Sequence, residues 1–262
     1  MSLLTCIFYS STITTSNNSL KKIIPTALAR LRAATIPPDL RKEIITHSRQ
    51  RERQLGIISK PAAPALQSKL KDFYTFLKTP LELQVPLYIC NSFTSDHLLG
   101  NASAFAMAHA IFMNKNKLDT TFGIIQCRLG HEATHIHHQD PSIGYIFNKA
   151  VGFKSTPPDN AIRTLIYNII GTNDICLRTL GGHHARHAES EADRKGHTAT
   201  QCFLCIEEHA QRRDEIFLED FEEIYKNNGY LNGDELRKIA LLLQQKNSIC
   251  DHHKKTLIKT SS

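Results

Sequence analysis

His131 and His135 lie four residues apart in the run Gly130-His131-Glu132-Ala133-Thr134-His135. On an α-helix that spacing stacks the two side chains one above the other on a single face. Two imidazoles so placed can reach one Zn²⁺ at about 2.0–2.1 Å. Glu132 is offset by one position, close enough to contact a water on the metal without ligating the ion, as a general base for water attack requires. The chain carries 14 histidines, several of them bunched nearby, so a histidine-rich surface helix is the competing account of the same run.

A hydrolytic zinc site needs a third protein ligand and an open fourth position. A histidine six residues after His135 would supply it in a metzincin, but that position is Pro141. The better candidate is Glu189, in Glu189-Ser190-Glu191-Ala192-Asp193. Glu189 and Asp193 share one helical face, while Glu191 points elsewhere. Glu189 can then ligate the metal as Asp193 accepts a hydrogen bond from a ligating histidine and fixes its orientation. Taken alone, this segment reads as a charged, solvated helix; downstream of His131-Glu132-x-x-His135 it reads as part of a site.

The pattern of His131-Glu132-x-x-His135 followed by Glu189-x-x-Ala192-Asp193 resembles the HtpX-like and CAAX prenyl protease family of gluzincins. Ser103-Ala104-Phe105-Ala106 stands where that family carries Asn-Ala-Phe-Ala on an edge strand, with Ser103 replacing the asparagine, and Arg186 matches a basic residue ahead of the glutamate helix. The resemblance spans residues 86–195. It implies a zinc-dependent endopeptidase with one Zn²⁺ per chain, held by His131, His135 and Glu189, with Asp193 behind a histidine. Zn²⁺ would polarise the scissile carbonyl and acidify a water, and Glu132 would take that water's proton and deliver it to the leaving amine. A protein or peptide substrate would lie as an extended strand beside Ser103, Ala104, Phe105 and Ala106. A further donor for the oxyanion would come from among His183, His184, His187 and His197. The alternative is a binding or chaperone-like protein that keeps the zinc fold with its cleft occluded.

Composition restricts the partners. An apolar fraction of 41% and a charged fraction of 22% are those of an ordinary globular chain. The net charge of +7 is scattered, with clusters only at 49–53 and 252–255, neither interleaved with aromatics, which argues against nucleic acid. No run approaches the roughly 18 apolar residues of a membrane span. Seven dispersed cysteines suggest reduced thiols and an intracellular, soluble protein. The first 38 residues hold no Asp or Glu, which leaves organelle targeting as the alternative.

The elements that must position these residues read as α+β, mostly α: a zincin-like metallopeptidase core with a small edge-strand sheet and flanking helices. Residues 1–20 are expected as a disordered or targeting tail, 21–80 as an N-terminal helical region, 81–215 as the metallopeptidase core, and 216–262 as a C-terminal helical region. Helices are expected over 23–55, broken at Pro37-Pro38 with Asp39 as an N-cap, and over 66–77. Residues 59–64 read as a linker. Strands are expected at 83–90, placed at an edge by Pro86, and at 105–113. One helix entered at Leu118 carries the histidines, another runs from Asp159 to Ile170, and a long one from Ala185 to Asp214; two more follow around 227–232. Cys202-x-x-Cys205 with Cys250 and His252-His253 suggests a second, structural zinc, but a CxxC inside a continuous helix is more simply two buried thiols.

Overall fold

The computed structural model describes residues 17–91, 103–118, 121–152, 157–216 and 229–260. Expectations for the tail before Asn17 fall outside them. The described chain is α+β and mostly helical, with one four-stranded sheet ordered β1-β2-β4-β3. Those strands are β1 (Ser59–Pro61), β2 (Leu87–Cys90), β3 (Ala104–Met107) and β4 (Ala110–Asn114). The helices are α1 (Asn17–Ala33), α2 (Pro38–Gln54), α3 (Pro64–Leu77), α4 (Phe122–His137), α5 (Asp140–Val151), α6 (Asn160–Ile170), α7 (Leu177–Ala199), α8 (Phe203–Ile216), α9 (Gly233–Gln244) and α10 (Asp251–Thr260). Among the described residues, no helix is long and apolar enough to cross a membrane.

Several local expectations need correction, each for a definable reason. The strand expected over 105–113 is a hairpin: Ala108 and His109 turn the chain, and Phe105 pairs with Phe112. Pro86 precedes β2 rather than interrupting it, and its carbonyl accepts from Ile111 N. β2 is therefore an inner strand, antiparallel to β1 and parallel to β4. The expected linker at 59–64 supplies β1. Pro37, not Asp39, is the N-cap residue of α2, and Asp39 lies in the first turn where its charge suits the helix dipole.

The helix after Leu118 ends at His137, because Gln139 turns into the left-handed region (φ 58°) and restarts the chain as α5. Gln201 (φ 51°) likewise divides the helix expected over 185–214 into α7 and α8. Of the two helices expected around 227–232, the part before Gly229 lies outside the described residues. α9 begins at Gly233 behind a capping box, in which Asn232 Oδ1 accepts from Glu235 N and Glu235 Oε2 accepts from Asn232 N.

Among the described residues, four apolar clusters form the core, and three of them hold these layers. Ile24, Leu28 and Leu31 of α1 pack with Ile143 and Phe147 of α5, Ile162 and Ile166 of α6 and Leu180 of α7. The N-terminal helix thus closes one side of the core rather than extending from it. Phe73 of α3, Leu87, Ile111 and Met113 of the sheet, and Leu129 and Ala133 of α4 form the second. Cys127, Cys202, Cys205, Ile206, Leu236 and Leu243 form the third, beneath α8 and α9.

The contact that positions the site is the crossing of α4 and α7. Gly130 and Gly196 meet backbone to backbone there: a Cβ on Gly130 would stand 2.5 Å from the Gly196 carbonyl oxygen, and one on Gly196 would stand 2.5 Å from Gly130 C. Only two glycines allow helix axes so close. His131 follows one of them directly, and Asp193 and Glu189 lie one and two turns before the other.

Candidate metal centre

His131 and His135 project from α4 as the four-residue spacing requires, and Glu189 meets them from α7. His131 Nε2 lies 3.0 Å from His135 Nε2 and 3.1 Å from Glu189 Oε2, and His135 Nε2 lies 3.5 Å from the same oxygen. Three donors bound at about 2.05 Å in a tetrahedron would stand about 3.3 Å apart. The triangle therefore has the dimensions of one face of a tetrahedral zinc site.

The far nitrogens fix the orientation. His131 Nδ1 bonds Asp193 Oδ1 at 2.7 Å, and His135 Nδ1 bonds Asp140 Oδ2 at 3.0 Å. Carboxylates accept, so each Nδ1 carries a proton and each Nε2 faces Glu189, holding a second proton there or, as a lone pair, a metal ion. Two such lone pairs 3.0 Å apart repel unless a cation or a proton sits between them. The donor set thus fits a divalent ion, and His131, His135 and Glu189 could hold one.

Asp193, anticipated behind a ligand, is fully buried and saturated. Besides His131 it accepts from Leu231 N at 2.9 Å and from Arg213 Nη2 at 3.3 and 3.4 Å. Burial alone would raise its carboxyl, but Arg213 and His131 hold it far below the usual carboxylate range. Asp140 was not foreseen. It starts α5 immediately after the Gln139 turn, and it also pairs with Arg32 of α1 at 3.2 Å. Its one sequence signal was an Asp before a Pro at a helix start, five residues after a candidate ligand.

The electrostatics follow from burial opposed by these partners. Burial disfavours a charged His131, yet Asp193 and Glu189 carry its pKa up to about 9. His135 is raised likewise, against burial, by Asp140 and Glu189. Glu189 is held well below the usual range, its burial outweighed by hydrogen bonds from both histidines. Glu132 is 7% exposed, and burial pushes its carboxyl up, against the lowering effect of His131, His135 and a hydrogen bond to the Ala106 main chain.

Ser103 to Ala106 lies beside this cluster. β3 is an outer strand, paired on one side with β4, and it packs against α4. Tyr230 was missed altogether. Its ring stacks on His131 (centroids 5.8 Å apart, planes at 16°), the Arg213 guanidinium lies 4.9 Å from its ring centroid, and its hydroxyl hydrogen-bonds Glu189. It sits in an irregular segment between Gly229 and Leu231, where no periodicity marks it.

The four histidines expected as oxyanion donors do not converge on the cluster. His197 is fully buried and bonded to His209 (2.6 Å) and the Asp193 carbonyl, His184 is buried 3.7 Å from Asp140, and His183 and His187 are exposed. A comparison with protein-family models, curated proteins and solved structures finds no match to this chain.

Proposed function

We propose that this chain is a zinc-dependent endopeptidase with a zincin-like core of the gluzincin type, as its resemblance to the HtpX-like and CAAX prenyl protease family implies. The observation that carries the reading is the triangle of His131, His135 and Glu189 with Glu132 beside it and a carboxylate behind each imidazole. A structural zinc has no use for a buried carboxyl beside its three ligands, held above its ordinary pKa by burial; a hydrolytic one does.

Zn²⁺ bound there supplies Lewis-acid polarisation of a carbonyl and acidifies water. The chain's own residues do the rest. Asp193 and Asp140 keep both Nε2 lone pairs aimed inward. Glu132, whose carboxyl burial pushes up, accepts a proton from the attacking water and returns it to the leaving nitrogen. The outer edge of β3 offers main-chain groups to an extended peptide, with Ala106 next to Glu132. Tyr230, whose hydroxyl stays protonated because burial and then Glu189 push its pKa well above the ordinary value, supplies a donor for developing negative charge.

The same tyrosine favours a second reading. His131 and His135 are 7% and 8% exposed, and Tyr230 covers one face of the cluster, as in a binding protein with its cleft occluded. Glu132→Gln separates the two. The peptidase reading expects hydrolysis of an unstructured protein substrate to disappear while the metal is retained. Wild-type protein that holds zinc stoichiometrically and cleaves nothing would leave the binding reading.

A further inference from the structure

At the N-terminal end of α4, away from His131 and His135, a second group of metal-ligating side chains converges. His253 Nδ1 lies 3.3 Å from Cys250 Sγ, 3.4 Å from Cys202 Sγ and 3.6 Å from Cys205 Sγ. Cys205 Sγ and Cys250 Sγ are 3.8 Å apart, and all four ligand atoms fall within 4.8 Å of one another. With zinc bonds of about 2.3 Å to sulfur and 2.05 Å to nitrogen, a tetrahedron has edges of about 3.8 Å between sulfurs and about 3.5 Å from sulfur to nitrogen. The observed spacings match both.

Hydrogen bonding does not account for the arrangement. His253 Nε2 donates to Glu208 Oε1 at 2.8 Å, which leaves Nδ1 as an acceptor with one lone pair. One lone pair cannot serve three thiols at 3.3–3.6 Å, whereas one cation at their centre serves all four atoms. The backbone is shaped for this. Gln201 (φ 51°) ends α7, so Cys202 sits in the turn before α8 and Cys205 in its first turn. That is a knuckle, not the continuous helix that had favoured two buried thiols.

We propose that Cys202, Cys205, Cys250 and His253 bind a structural Zn²⁺ as a closed Cys₃His site, bringing the chain to two metal centres. With four protein ligands there is no open position, so this zinc does no chemistry. It ties the start of α10 to the α7–α8 turn, and its binding converts the three thiols to thiolates with release of their protons.

Glu208 extends the effect to the other centre. While Oε1 holds His253, Oε2 accepts from Thr121 Oγ1 at 2.5 Å and Gly123 N at 3.0 Å, the opening residues of α4. A Cβ on Gly123 would stand 2.2 Å from that oxygen, so the glycine admits the carboxylate. The Cys₃His zinc therefore braces the helix that carries His131 and His135.

The inference is independent of peptidase activity, and metal analysis of the full chain purified under reducing conditions tests it. Wild type is expected to hold two zinc ions per chain, and Cys202→Ser and Cys250→Ser to hold one. His131→Ala is expected to hold one, with the second centre intact. Should the serine variants misfold, His253→Cys still tests the site, because a fourth thiolate keeps the zinc. Cobalt loading gives a spectroscopic arm: a near-ultraviolet sulfur-to-cobalt band distinguishes this centre from the His131 centre, which contains no sulfur. That band is expected in wild type and His131→Ala and to be lost in Cys205→Ser where that variant folds. Cobalt protein without the band overturns the proposal, as does a native Cys205–Cys250 disulfide with all metal lost on His131→Ala.

Discussion

Asp193 Oδ1 stands 2.7 Å from His131 Nδ1, and this one contact joins α7 to α4 through a group with no solvent exposure. The carboxylate also balances the buried Arg213. Asp193→Asn keeps the shape but removes the charge that orients the imidazole. Zinc affinity at the His131 centre should fall about 10–100-fold, measured by competition with a chromogenic chelator. Asp193→Ala should destabilise the fold itself by about 3–5 kcal/mol, because the buried Arg213 loses its carboxylate partner at Asp193; chemical denaturation reads that loss.

The glycine crossing makes a prediction of a different kind. Gly196→Ala places a methyl group against the Gly130 and His131 backbone, where neither helix can yield without moving a ligand. Overpacking of this sort costs about 1–3 kcal/mol. The expected signature is a loss of zinc from the His131 centre larger than the loss of helix content, compared by metal analysis and circular dichroism.

Tyr230→Phe deletes only the hydroxyl. Glu189 loses one hydrogen bond, but the His131 stacking and all three zinc ligands remain, so metal content should change little. Turnover of a cleaved peptide should fall about 10²–10³-fold if the hydroxyl stabilises the oxyanion. A variant with wild-type turnover would limit Tyr230 to a structural role.

Acidity should act differently on the metal-free and zinc-loaded protein. Without metal, His131 is protonated up to about pH 9 against an ordinary value of 6.5. A raised histidine pKa adds stability that is complete below 6.5 and is lost as the pH rises through about 9. The thermal midpoint of metal-stripped protein should therefore drop over that window, roughly 2–4 °C for each kcal/mol lost. In the zinc-loaded protein Nε2 carries metal rather than a proton, and the drop should be absent.

The sequence made His131, His135, Glu189 and Asp193 legible because helical spacing is rigid: residues four apart must share a face. It did not reveal Asp140 or Tyr230, because each reaches the cluster from a chain reversal. Gln139 supplies the first reversal with a left-handed backbone that no glycine or asparagine announces. Gln201 hid the cysteine knuckle in the same way. The hairpin at Ala108-His109 was obscured because β4 is buried on both faces, so its apolar run merges with that of β3. The mostly helical class with a small sheet followed from the periodicities alone.

The contact of Gly130 with Gly196 also acts as a fulcrum. Asp193 lies about 4.5 Å along α7 from that point and Glu189 about 10 Å, at 1.5 Å per residue. A tilt of α7 by about 10° would swing Glu189 by nearly ~2 Å and Asp193 by less than half as much, while His131, next to the fulcrum, would scarcely move. Small rotations of one helix thus open or close the coordination triangle at its carboxylate corner, with both imidazoles left in place.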